Sequence, residues 1–546
     1  MTYTNPVYDF SAPPELAGEG GRRPVVIVGA GPVGLVAAID LALRGQPVLV
    51  LDEDKTVSVG SRAICYAKRT LEILDRLGCG EPVTARGVRW NVGKVFFKDA
   101  LAYQFDLLPE SGHRRPAFVN LQQYHFEECL VARAREVDVE LRWQSRVAGI
   151  TTSHDGVRLA VETPRGDYAL DADWLIVADG ARSTVRGLMG LESEGQVFRD
   201  RFLIADIHMT SDFPTERWFW FDPPFHPGQS VLLHRQADDL WRVDFQLGWE
   251  ADPDEEKKPE RIGPRLRAML GPDAKFELEW ASVYTFQCRR MKRFRHERVL
   301  FAGDAAHLVS PFGARGANSG VQDADNLVWK LDLVLRGQAP AHLLDSYDDE
   351  RTRAADENIR HSTRATDFIT PKNAISRTFR DAVLELARDH PFARRLVNSG
   401  RLSVPAVLDA SPLNTPDRSG EFSGDPGTLV PGTAAADAPV RSARGAWLLD
   451  CLGGPFALLA FGPAVDAASA EALAQASIPC VVVQVGGAAL LPILAVEDVG
   501  GLAASRYEAQ EGTCYLVRPD QHVCARWRRF DLAEVQRAIA RATARA

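Results

Sequence analysis

The chain has 546 residues, 45% of them hydrophobic and 25% charged, with a formal net charge of −9. These values are typical of a large globular protein with several domains, and the acidic balance excludes a general basic surface for nucleic acid. No apolar stretch approaches the ~18 residues of a membrane span and no apolar leader core precedes the first strand, so we expect a cytoplasmic protein.

The composition also includes eight cysteines, and none of them forms a C-x-x-C pair or a cluster with the spacing of metal ligands. We therefore predict reduced, mostly buried thiols and no metal site. The cysteines are Cys65, Cys79, Cys129, Cys288, Cys451, Cys480, Cys514 and Cys524.

Changes in periodicity and composition divide the chain into predicted domains. Strands alternate with helices in two separate parts, which enclose a strand-rich aromatic region, and a stretch rich in proline, glycine and alanine precedes a last α/β segment. The predicted boundaries are a flexible lead-in at 1–23, a Rossmann-like domain at 24–195 and 296–400, an inserted β-sheet domain at 196–295, a linker at 401–439 and a small α/β domain at 440–546.

A glycine-rich turn opens the Rossmann-like domain, in the segment VVIVGAGPVGLVAAIDLALRGQPVLVLDED. Gly29, Gly31 and Gly34 follow a predicted strand and begin a predicted helix, a spacing that allows a tight turn, approach to a pyrophosphate and close helix packing. Asp52 ends the next strand, where an acid can bind a ribose hydroxyl. The segment predicts a dinucleotide at a helix N-terminus, and a turn without a ligand is the alternative.

Two later segments indicate which dinucleotide binds. In AGDAAH, Gly303 and Asp304 follow a strand and can bring a carboxylate to the ribityl or ribose hydroxyls of the same ligand. Pro311 and a run of glycines then precede a long helix, an arrangement that suits the edge of a flavin ring better than a simple helix cap. Together the segments predict FAD. A second G-x-G-x-x-G is absent from the sequence, so we expect NADPH or NADH to bind only transiently.

In this order, and over roughly residues 24 to 365, the segments resemble those of class A flavoprotein monooxygenases, the para-hydroxybenzoate hydroxylase-like aromatic hydroxylases. The loop SPFGARGANSG resembles the form found in para-hydroxybenzoate hydroxylase, with Ala317 where the family has methionine. The FAD positions carried over from the resemblance are Arg62, Gln123, Asp179, Gly180, Arg186, Gly316, Ala317 and Asn318, beside Gly29, Gly31, Gly34, Asp52, Gly303 and Asp304.

The resemblance implies an α/β fold: a Rossmann-like FAD-binding domain, an inserted β-sheet substrate domain and a C-terminal thioredoxin-like domain. It also implies that NAD(P)H reduces FAD, that O2 forms a flavin C4a-hydroperoxide, and that one oxygen is transferred to a phenolic ring or a phenolic carboxylate. The tail resembles the thioredoxin-like domain of phenol hydroxylases and 3-(3-hydroxyphenyl)propionate hydroxylases. It lacks C-x-x-C, so we expect a structural or dimer-related role and name a homodimer among the partners, with the aromatic substrate and O2.

The strands of the inserted sheet should cover the flavin, which makes their side chains candidates for the substrate pocket. Trp220, Arg235 and Arg242 are predicted to contact substrate, because a guanidinium suits an aromatic carboxylate. The predicted catalytic residues are Tyr284 and His234 as proton relays, and Pro311, whose carbonyl faces the substrate ring in the family. The alternative is that these aromatics are sheet core and these arginines are solvated. His307 is interpreted as a structural hydrogen-bonding residue.

Two other functions are compatible with a flavin-binding fold. A flavin-dependent halogenase would carry a W-x-W-x-I-P signature, whereas Trp218-Phe219-Trp220 is followed by Phe221-Asp222. A non-catalytic flavin-binding sensor would not need an intact flavin loop, and the loop here shows no damage. Both remain alternatives to the aromatic hydroxylase.

Overall fold

The computed structural model describes residues 3–60, 62–397, 402, 404–418, 420–423, 427–487 and 492–546. In that part of the chain two eight-stranded sheets lie in the first 400 residues, with a three-stranded sheet beside them, and a six-stranded sheet lies in the tail. The first elements are β1 Arg23–Val28, α1 Pro32–Leu43, β2 Val48–Leu51, β3 Cys65–Ala67, α2 Lys68–Arg76, α3 Gly80–Arg86, β4 Val88–Trp90, β5 Val92–Phe97, β6 Ala100–Asp106, β7 Phe118–Asn120, α4 Gln123–Glu136, β8 Glu140–Arg142, β9 Arg146–Ser153, β10 Gly156–Thr163, β11 Gly166–Val177 and α5 Thr184–Leu188.

The elements that follow build the second sheet and a set of helices, and then the tail. They are β12 Ser193–His208, β13 Arg217–Phe221, β14 Ser230–Arg235, β15 Leu240–Gly248, α6 Pro253–Glu256, α7 Pro259–Leu270, β16 Glu277–Met291, β17 Arg295–His296, β18 Val299–Phe301, β19 His307–Leu308, α8 Gly316–Leu335, α9 Asp345–Ile369, α10 Ala374–Asp389 and α11 Pro391–Val397. The tail contains β20 Val440–Ser442, β21 Phe456–Phe461, α12 Ala467–Ala474, β22 Cys480–Val485, β23 Leu494–Asp498, α13 Leu502–Arg506, β24 Cys514–Val517, β25 Val523–Trp527 and α14 Leu532–Ala542.

The Rossmann-like sheet has the strand order β17-β18-β11-β1-β2-β8. β1 pairs in parallel with β2 on one side and with β11 on the other. Such a central strand is buried on both faces, which explains its uninterrupted run of β-branched residues. Ligands bind beyond the carboxyl ends of parallel strands, so the turn after β1 lies where a dinucleotide is expected.

The second sheet, which we call the substrate sheet, has the order β19-β16-β12-β15-β14-β13-β5-β6. Its outer face buries Leu203, Val243 and Phe245 under α7, and its inner face is turned towards the Rossmann-like domain. β5 and β6 precede the predicted range of this domain by about a hundred residues, and β13 pairs in parallel with β5. The substrate sheet therefore includes a strand pair from an earlier part of the chain, and the periodicity within 196–295 did not indicate this.

The tail has the order β20-β23-β22-β21-β24-β25. β21 and β22 are parallel and joined through α12, whereas β24 and β25 are antiparallel. This is the arrangement of a thioredoxin-like sheet, and the predicted fold class is confirmed. The eight cysteines carry free thiols, and seven of them are buried.

Segments predicted to be lead-in and linker pack against the domains. Tyr3 stacks on Tyr124 and Tyr8 on Trp143, with ring centroids 4.0 and 4.3 Å apart. Gly432 donates its N–H to the Val523 carbonyl at 2.7 Å, which ties the predicted linker to the tail. Positions 1–2 of the lead-in and 401, 403, 419 and 424–426 of the linker lie outside the described residues.

A buried charge network joins the tail to the Rossmann-like domain. The Glu350 carboxylate of α9 accepts from Lys330 of α8 at 2.7 Å and from Arg518 of the tail at 2.7 Å. Arg518 also pairs with Asp520. The two cations keep the pKa of Glu350 well below its usual range, while burial lowers the pKa of Lys330 to about 8. Because Lys330 and Arg518 share the Glu350 carboxylate, removing either cation leaves the remaining charges of the network incompletely paired.

We expect Arg518→Met to destabilise the protein by about 3–5 kcal/mol, because it leaves Asp520 buried without its cation. The measurement is chemical denaturation of the purified protein. Arg441→Met is the matched control, since Arg441 pairs with Glu497 at the surface, and a change within about 1 kcal/mol is expected. Equal stability of the two variants would contradict a network that holds the tail in place.

Candidate active site

The glycine turn after β1 has a separate physical reason for each glycine. Gly29 has a φ of 106°, and a side chain there would collide with the backbone of Ala178. A side chain at Gly34 would collide with the Gly29 carbonyl oxygen, so Gly34 lets α1 pack onto the turn. At Gly31 a Cβ would meet no atom within 4 Å, which leaves open space in front of the N-terminus of α1.

Asp52, at the end of β2, contacts the backbone of this turn through its side chain. Its carboxylate accepts hydrogen bonds from the N–H groups of Ala30 and Asp54. Protein atoms surround the side chain, although part of it reaches solvent, and this loss of solvation raises its pKa to about 6. A hydroxyl that donated to the remaining lone pairs would favour the ionised form.

The segments around Asp179 and Gly303 are held together by Arg186. Its guanidinium donates to the Ala305 carbonyl at 2.7 Å and to the Ala181 carbonyl at 2.8 Å. Asp179 accepts from the Val185 N–H at 3.1 Å through one oxygen, and its other oxygen is buried without a partner among the described residues. Arg186 thus acts as a clamp here, and Asp179 keeps one unsatisfied acceptor.

Helix α8 approaches the turn closely because Gly320 has no side chain. A Cβ at Gly320 would lie 3.1 Å from the Cα of Gly303 and 2.6 Å from Val33 of α1. His307 is buried and its Nε2 lies 2.6 Å from Asp323, which also accepts from the Gly303 N–H at 2.9 Å. His307 thus makes a hydrogen bond of the kind expected of a structural residue, and its role stays a prediction.

Two further predicted FAD residues, Asn318 and Gln123, make protein contacts with their side chains. Asn318 donates to the carbonyls of Cys65 and Ala314 and accepts from Ala67 N–H, which joins the flavin loop to β3. Gln123 begins α4 and accepts from the Ala63 N–H at 2.9 Å. Both side chains therefore shape the backbone around the site.

Several positions around the glycine turn have open space or an atom without a protein partner, and we call the surface that Gly31, Asp179, Gly180 and Asp304 form the groove. Asp304 is solvent-accessible although protein atoms surround it. Burial raises the pKa of its carboxyl, and His307 and then Arg62 only partly offset this effect. Gly180 has a φ of 80° and open space at its Cβ position, like Gly31. Together with the unsatisfied oxygen of Asp179, these positions fit a long ligand with a pyrophosphate and several hydroxyls, which is FAD.

A cavity of about 280 Å³ lies beside the flavin loop, between the inner face of the substrate sheet and the helices α9 and α11. Aromatic side chains form much of its wall, and among the described residues that line it none is acidic. The lining residues are Lys94, Val95, Tyr103, Phe105, Arg217, Phe219, Phe221, Phe312, Gly313, Arg315, His361, Arg364, Ala365, Ile369, Arg395, Leu396, Val397 and Leu402.

Strand β13 shows which residues reach this cavity. Side chains alternate along a strand, so Arg217, Phe219 and Phe221 face inwards while Trp218 and Trp220 face outwards. Trp220 stacks on Phe96 at a centroid distance of 5.2 Å, on the outer face. The structure thus does not bring the predicted Trp220 to the cavity and brings its neighbours instead. The alternating pattern R-W-F-W-F predicts that every second side chain faces the cavity, but it does not show which of the two sets does so.

Arg217 is the most unusual of the cavity residues. It is buried, with 8% of its surface exposed, and it has neither a hydrogen bond nor an ion pair with any described residue. Burial lowers the pKa of its guanidinium, and Cys65 and Asp244 only partly offset this effect. By contrast, Lys94 pairs with Glu216 at 2.8 Å and Arg315 donates to the Phe312 carbonyl at 3.3 Å.

The two arginines predicted to contact substrate have protein partners. Arg242 faces inwards and pairs with Asp206, with two contacts of 2.7 Å. Arg235 faces outwards and pairs with Asp239 at 3.1 Å. The structure therefore does not bring Arg235 to the cavity, and it places Arg242 within an internal pair.

The predicted catalytic residues lie apart from one another. Tyr284 lies on the inner face beside Phe202, its partner across the strands. The carbonyl of Pro311 accepts from the Ala314 N–H at 3.0 Å, within a turn. His234 is buried on the inner face with its Nδ1 unpartnered, and burial beside two arginines lowers its pKa well below the usual range.

Asp244 is a residue that sequence reasoning missed. It lies on the inner face of β15, opposite Leu232 and Ile204, and one carboxylate oxygen is buried without a partner among the described residues. Burial raises its pKa to about 7, and the neighbouring Asp206 adds to this, whereas Arg242 and Arg217 oppose it. The period-two pattern of β15 could have placed it on this face, but not beside two arginines.

Comparisons with known proteins agree with this geometry. A family model described as "FAD binding domain" matches residues 22–362. The 12-dehydrotetracycline 5-monooxygenase/anhydrotetracycline 6-monooxygenase of Streptomyces rimosus is 32% identical over 67% of this chain and 73% of its own length. The 3-(3-hydroxy-phenyl)propionate/3-hydroxycinnamic acid hydroxylase of Mycolicibacterium smegmatis is 30% identical over 69% of this chain and 66% of its own length.

Among solved structures, a ternary complex of aklavinone-11 hydroxylase with FAD and aklavinone superposes with a TM-score of 0.74 at 25% identity, over 96% of this chain and 100% of that one. The chain belongs to this family of FAD-binding proteins and is a flavin-dependent monooxygenase with NAD(P)H as its reductant. The expectations of FAD and of a monooxygenase are confirmed, and family membership favours them over the halogenase and the sensor. In the described part of the chain no helix is both long and apolar enough to cross a bilayer.

We expect Gly31→Val to abolish FAD binding without unfolding the protein, because the new side chain enters only the open space where a pyrophosphate would lie. The purified variant should be colourless and should melt at the temperature of the wild-type apoprotein. Gly34→Val is the contrasting control, since its side chain would collide with the Gly29 carbonyl and should prevent folding. A yellow Gly31→Val protein would contradict the placement of the cofactor.

Proposed function

We propose that this monooxygenase hydroxylates a phenolic aromatic compound in the cavity beside the flavin loop, with an anionic oxygen of the substrate bound by Arg217. The observation that carries the proposal is a buried guanidinium without a partner in an aromatic cavity. A buried charge is costly unless it is paired, so the unpaired Arg217 indicates that an anion completes the site.

The cavity walls suit a flat aromatic ring. Phe219 and Phe221 of β13 and Phe312 of the flavin loop line the cavity, and contacts between aromatic rings contribute beyond simple burial. The relative named for hydroxyphenylpropionate and hydroxycinnamic acid is named for compounds that combine a phenol with a carboxylate, which supports the same class here. We therefore propose a phenolic compound, and in particular a phenolic carboxylate, as substrate.

The inner face of the sheet also offers a route for the phenol proton. Arg217 and Asp244 lie on β13 and β15, and His234 lies on the strand between them. We propose that the phenol O–H bond breaks, that the proton moves to the unpartnered oxygen of Asp244, and that Arg217 stabilises the resulting phenolate. His234 is neutral and lies next to both arginines, and it can pass the proton from the phenol to Asp244.

The residues of the groove would hold FAD in reach of this cavity. Asp52, Asp179 and Asp304 would accept from its hydroxyls and from neighbouring donors, and the N-terminus of α8 would face the flavin ring. When bound and reduced by NAD(P)H, FAD supplies the activated oxygen, derived from O2, that is transferred to the ring. The protein's part is to orient the ring, to exclude water and to control the proton.

We also propose a cytoplasmic location and a homodimeric assembly. The free thiols of the eight cysteines suit a reducing compartment, which supports a cytoplasmic location. An exposed apolar helix face beside the cavity supports a homodimer as the working unit. The more general expectation, that a small aromatic substrate and O2 bind, follows from membership of the family of flavin-dependent monooxygenases.

We expect Arg217→Gln to weaken binding of a phenol about 10- to 100-fold, because it removes a charge-assisted hydrogen bond to the phenolic oxygen. The melting temperature should stay equal or rise, because the variant removes an unpaired buried charge. Titration of the oxidised holoenzyme, followed by flavin absorbance, measures binding. Arg235→Gln, on the outer face, is the control and should bind like the wild type; equal affinity of Arg217→Gln would contradict the proposal.

We expect kcat/KM for a phenol to rise as the pH increases through about 7, because Asp244 is protonated below its raised pKa and can accept a proton only above it. Asp244→Asn should remove this acidic limb and lower the plateau. Asp239→Asn, in the exposed hairpin next to β15, serves as the control. A wild-type pH profile in Asp244→Asn would show that another group accepts the proton.

A further inference from the structure

Residues 3–8, which we call the N-terminal segment, lie before β1 and pack against the Rossmann-like domain at both ends. The ring centroid of Tyr3 lies 4.0 Å from that of Tyr124, and Tyr8 stacks on Trp143 at 4.3 Å. Stacked aromatic rings contribute more than their burial alone, so these two contacts fix the segment on the surface. The residues between them are thereby held where a side chain can reach the neighbouring loop.

Asn5 lies between these two contacts and binds the loop that joins β2 to β3, which we call the β2–β3 loop. Its Nδ2 donates to the carbonyls of Val57 and Ser58, at 3.1 and 3.0 Å. The nitrogen of a carboxamide carries two N–H donors, so this single side chain satisfies two successive carbonyls. The Tyr8 N–H donates to the Lys55 carbonyl of the same loop at 2.8 Å. The N-terminal segment therefore holds one side of the β2–β3 loop.

Helix α4 holds the β2–β3 loop from the other side. The Glu127 carboxylate accepts from the Ser58 N–H at 2.6 Å. The Gln123 side chain accepts from the Ala63 N–H at 2.9 Å, and it also donates to Glu127 at 2.8 Å. The loop backbone is thus fixed at Ser58 from two sides and again at Ala63, and residues 59–62 lie between these two points in the chain.

The stretch between the two fixed points carries Arg62, which is exposed and whose charge lowers the pKa of the Asp304 carboxyl in the groove against the effect of burial. Gly60, in the same stretch, lies against the substrate sheet, since a Cβ at Gly60 would be 2.8 Å from the indole of Trp280. A displaced loop would carry Arg62 away from the groove. Fixing the loop before a ligand arrives removes the entropy cost of ordering it from ligand binding.

We propose that Asn5 is a positioning residue of the cofactor site, which fixes the β2–β3 loop so that the Arg62 guanidinium faces the groove and binds FAD. A guanidinium donates charge-assisted hydrogen bonds to the oxygens of such a ligand. Arg62 would contact the cofactor, and Asn5 acts only through Arg62. This role of Asn5 rests on the placement of FAD in the groove, as part of the proposed function, but not on the phenolic substrate or on Arg217.

A double-mutant cycle for FAD binding tests this role of Asn5. Titration of the full-length apoprotein with FAD, followed by quenching of flavin fluorescence, measures the Kd of each variant. We expect Asn5→Leu to raise the Kd about 10-fold, because the loop must then be ordered on binding. Arg62→Ala should raise it about 10- to 100-fold, because it removes a charge-assisted hydrogen bond. In the Arg62→Ala background, Asn5→Leu should change the Kd less than about 2-fold, because its effect passes through Arg62.

Gln338→Leu is the matched control. The Gln338 amide also donates to a backbone carbonyl, that of Ser477 at 3.0 Å, but it lies beyond the C-terminal end of α8, away from the groove. This variant should bind FAD like the wild type. Asn5→Ser, whose side chain is too short to reach both loop carbonyls, repeats the cycle if Asn5→Leu does not fold.

Wild-type affinity of Asn5→Leu for FAD would overturn the proposal. An Asn5→Leu effect that is equally large with and without Arg62 would also overturn it, because Asn5 would then support only the fold. If Arg62→Ala and Gly31→Val both bind FAD like the wild type, the placement of FAD in the groove is wrong. If both weaken binding and Asn5→Leu does not, only the role of Asn5 is wrong. The titration contains no phenol, so a failure of the proposed hydroxylation leaves its outcome unchanged.

Discussion

Helix α8 is the element on which the rest of the structure depends, because it carries buried charges that the surrounding elements must neutralise. Asp323, Asp325 and Lys330 are all buried on this helix. Asp323 is satisfied by His307 and Arg351, and Asp325 by two arginines of α2. A buried charge must be paired, so α8 fixes the positions of the elements that surround it.

This constraint explains why the thioredoxin-like tail forms one body with the rest of the chain. Arg518 completes the charge balance around Lys330, and Arg69 of α2 donates to the Asp520 carbonyl at 2.7 Å and to Gln521 at 3.0 Å. Thr70, the neighbour of Arg69, donates to Asn318 at the start of α8. The tail thus supports the helix whose first turn faces the flavin, a structural role consistent with its lack of C-x-x-C.

The sequence predicted the cofactor groove more fully than the cavity, and the reason is physical. The groove is built from local turns, where glycines at fixed spacing report the backbone directly, as at Gly29 and Gly31. The cavity is built by strands whose two faces look alike in sequence, so an error of one position exchanges Trp220 for Phe219 and Phe221. β5 and β6 lie far from β13 in the chain, and Arg217 is distinguished only by the absence of a partner, which no local pattern reports.

The narrow boundary between groove and cavity also bears on how such an enzyme changes over evolution. Among the described residues, those that would hold FAD and those that line the cavity meet in the loop from Pro311 to Gly316. Substitutions on β13, β5 or α11 can therefore alter which compound is accepted while leaving the cofactor in place. Because of this separation, the cavity walls are the natural place for directed changes in substrate range. The loop from Pro311 to Gly316 serves both sites, so we expect it to tolerate the fewest substitutions.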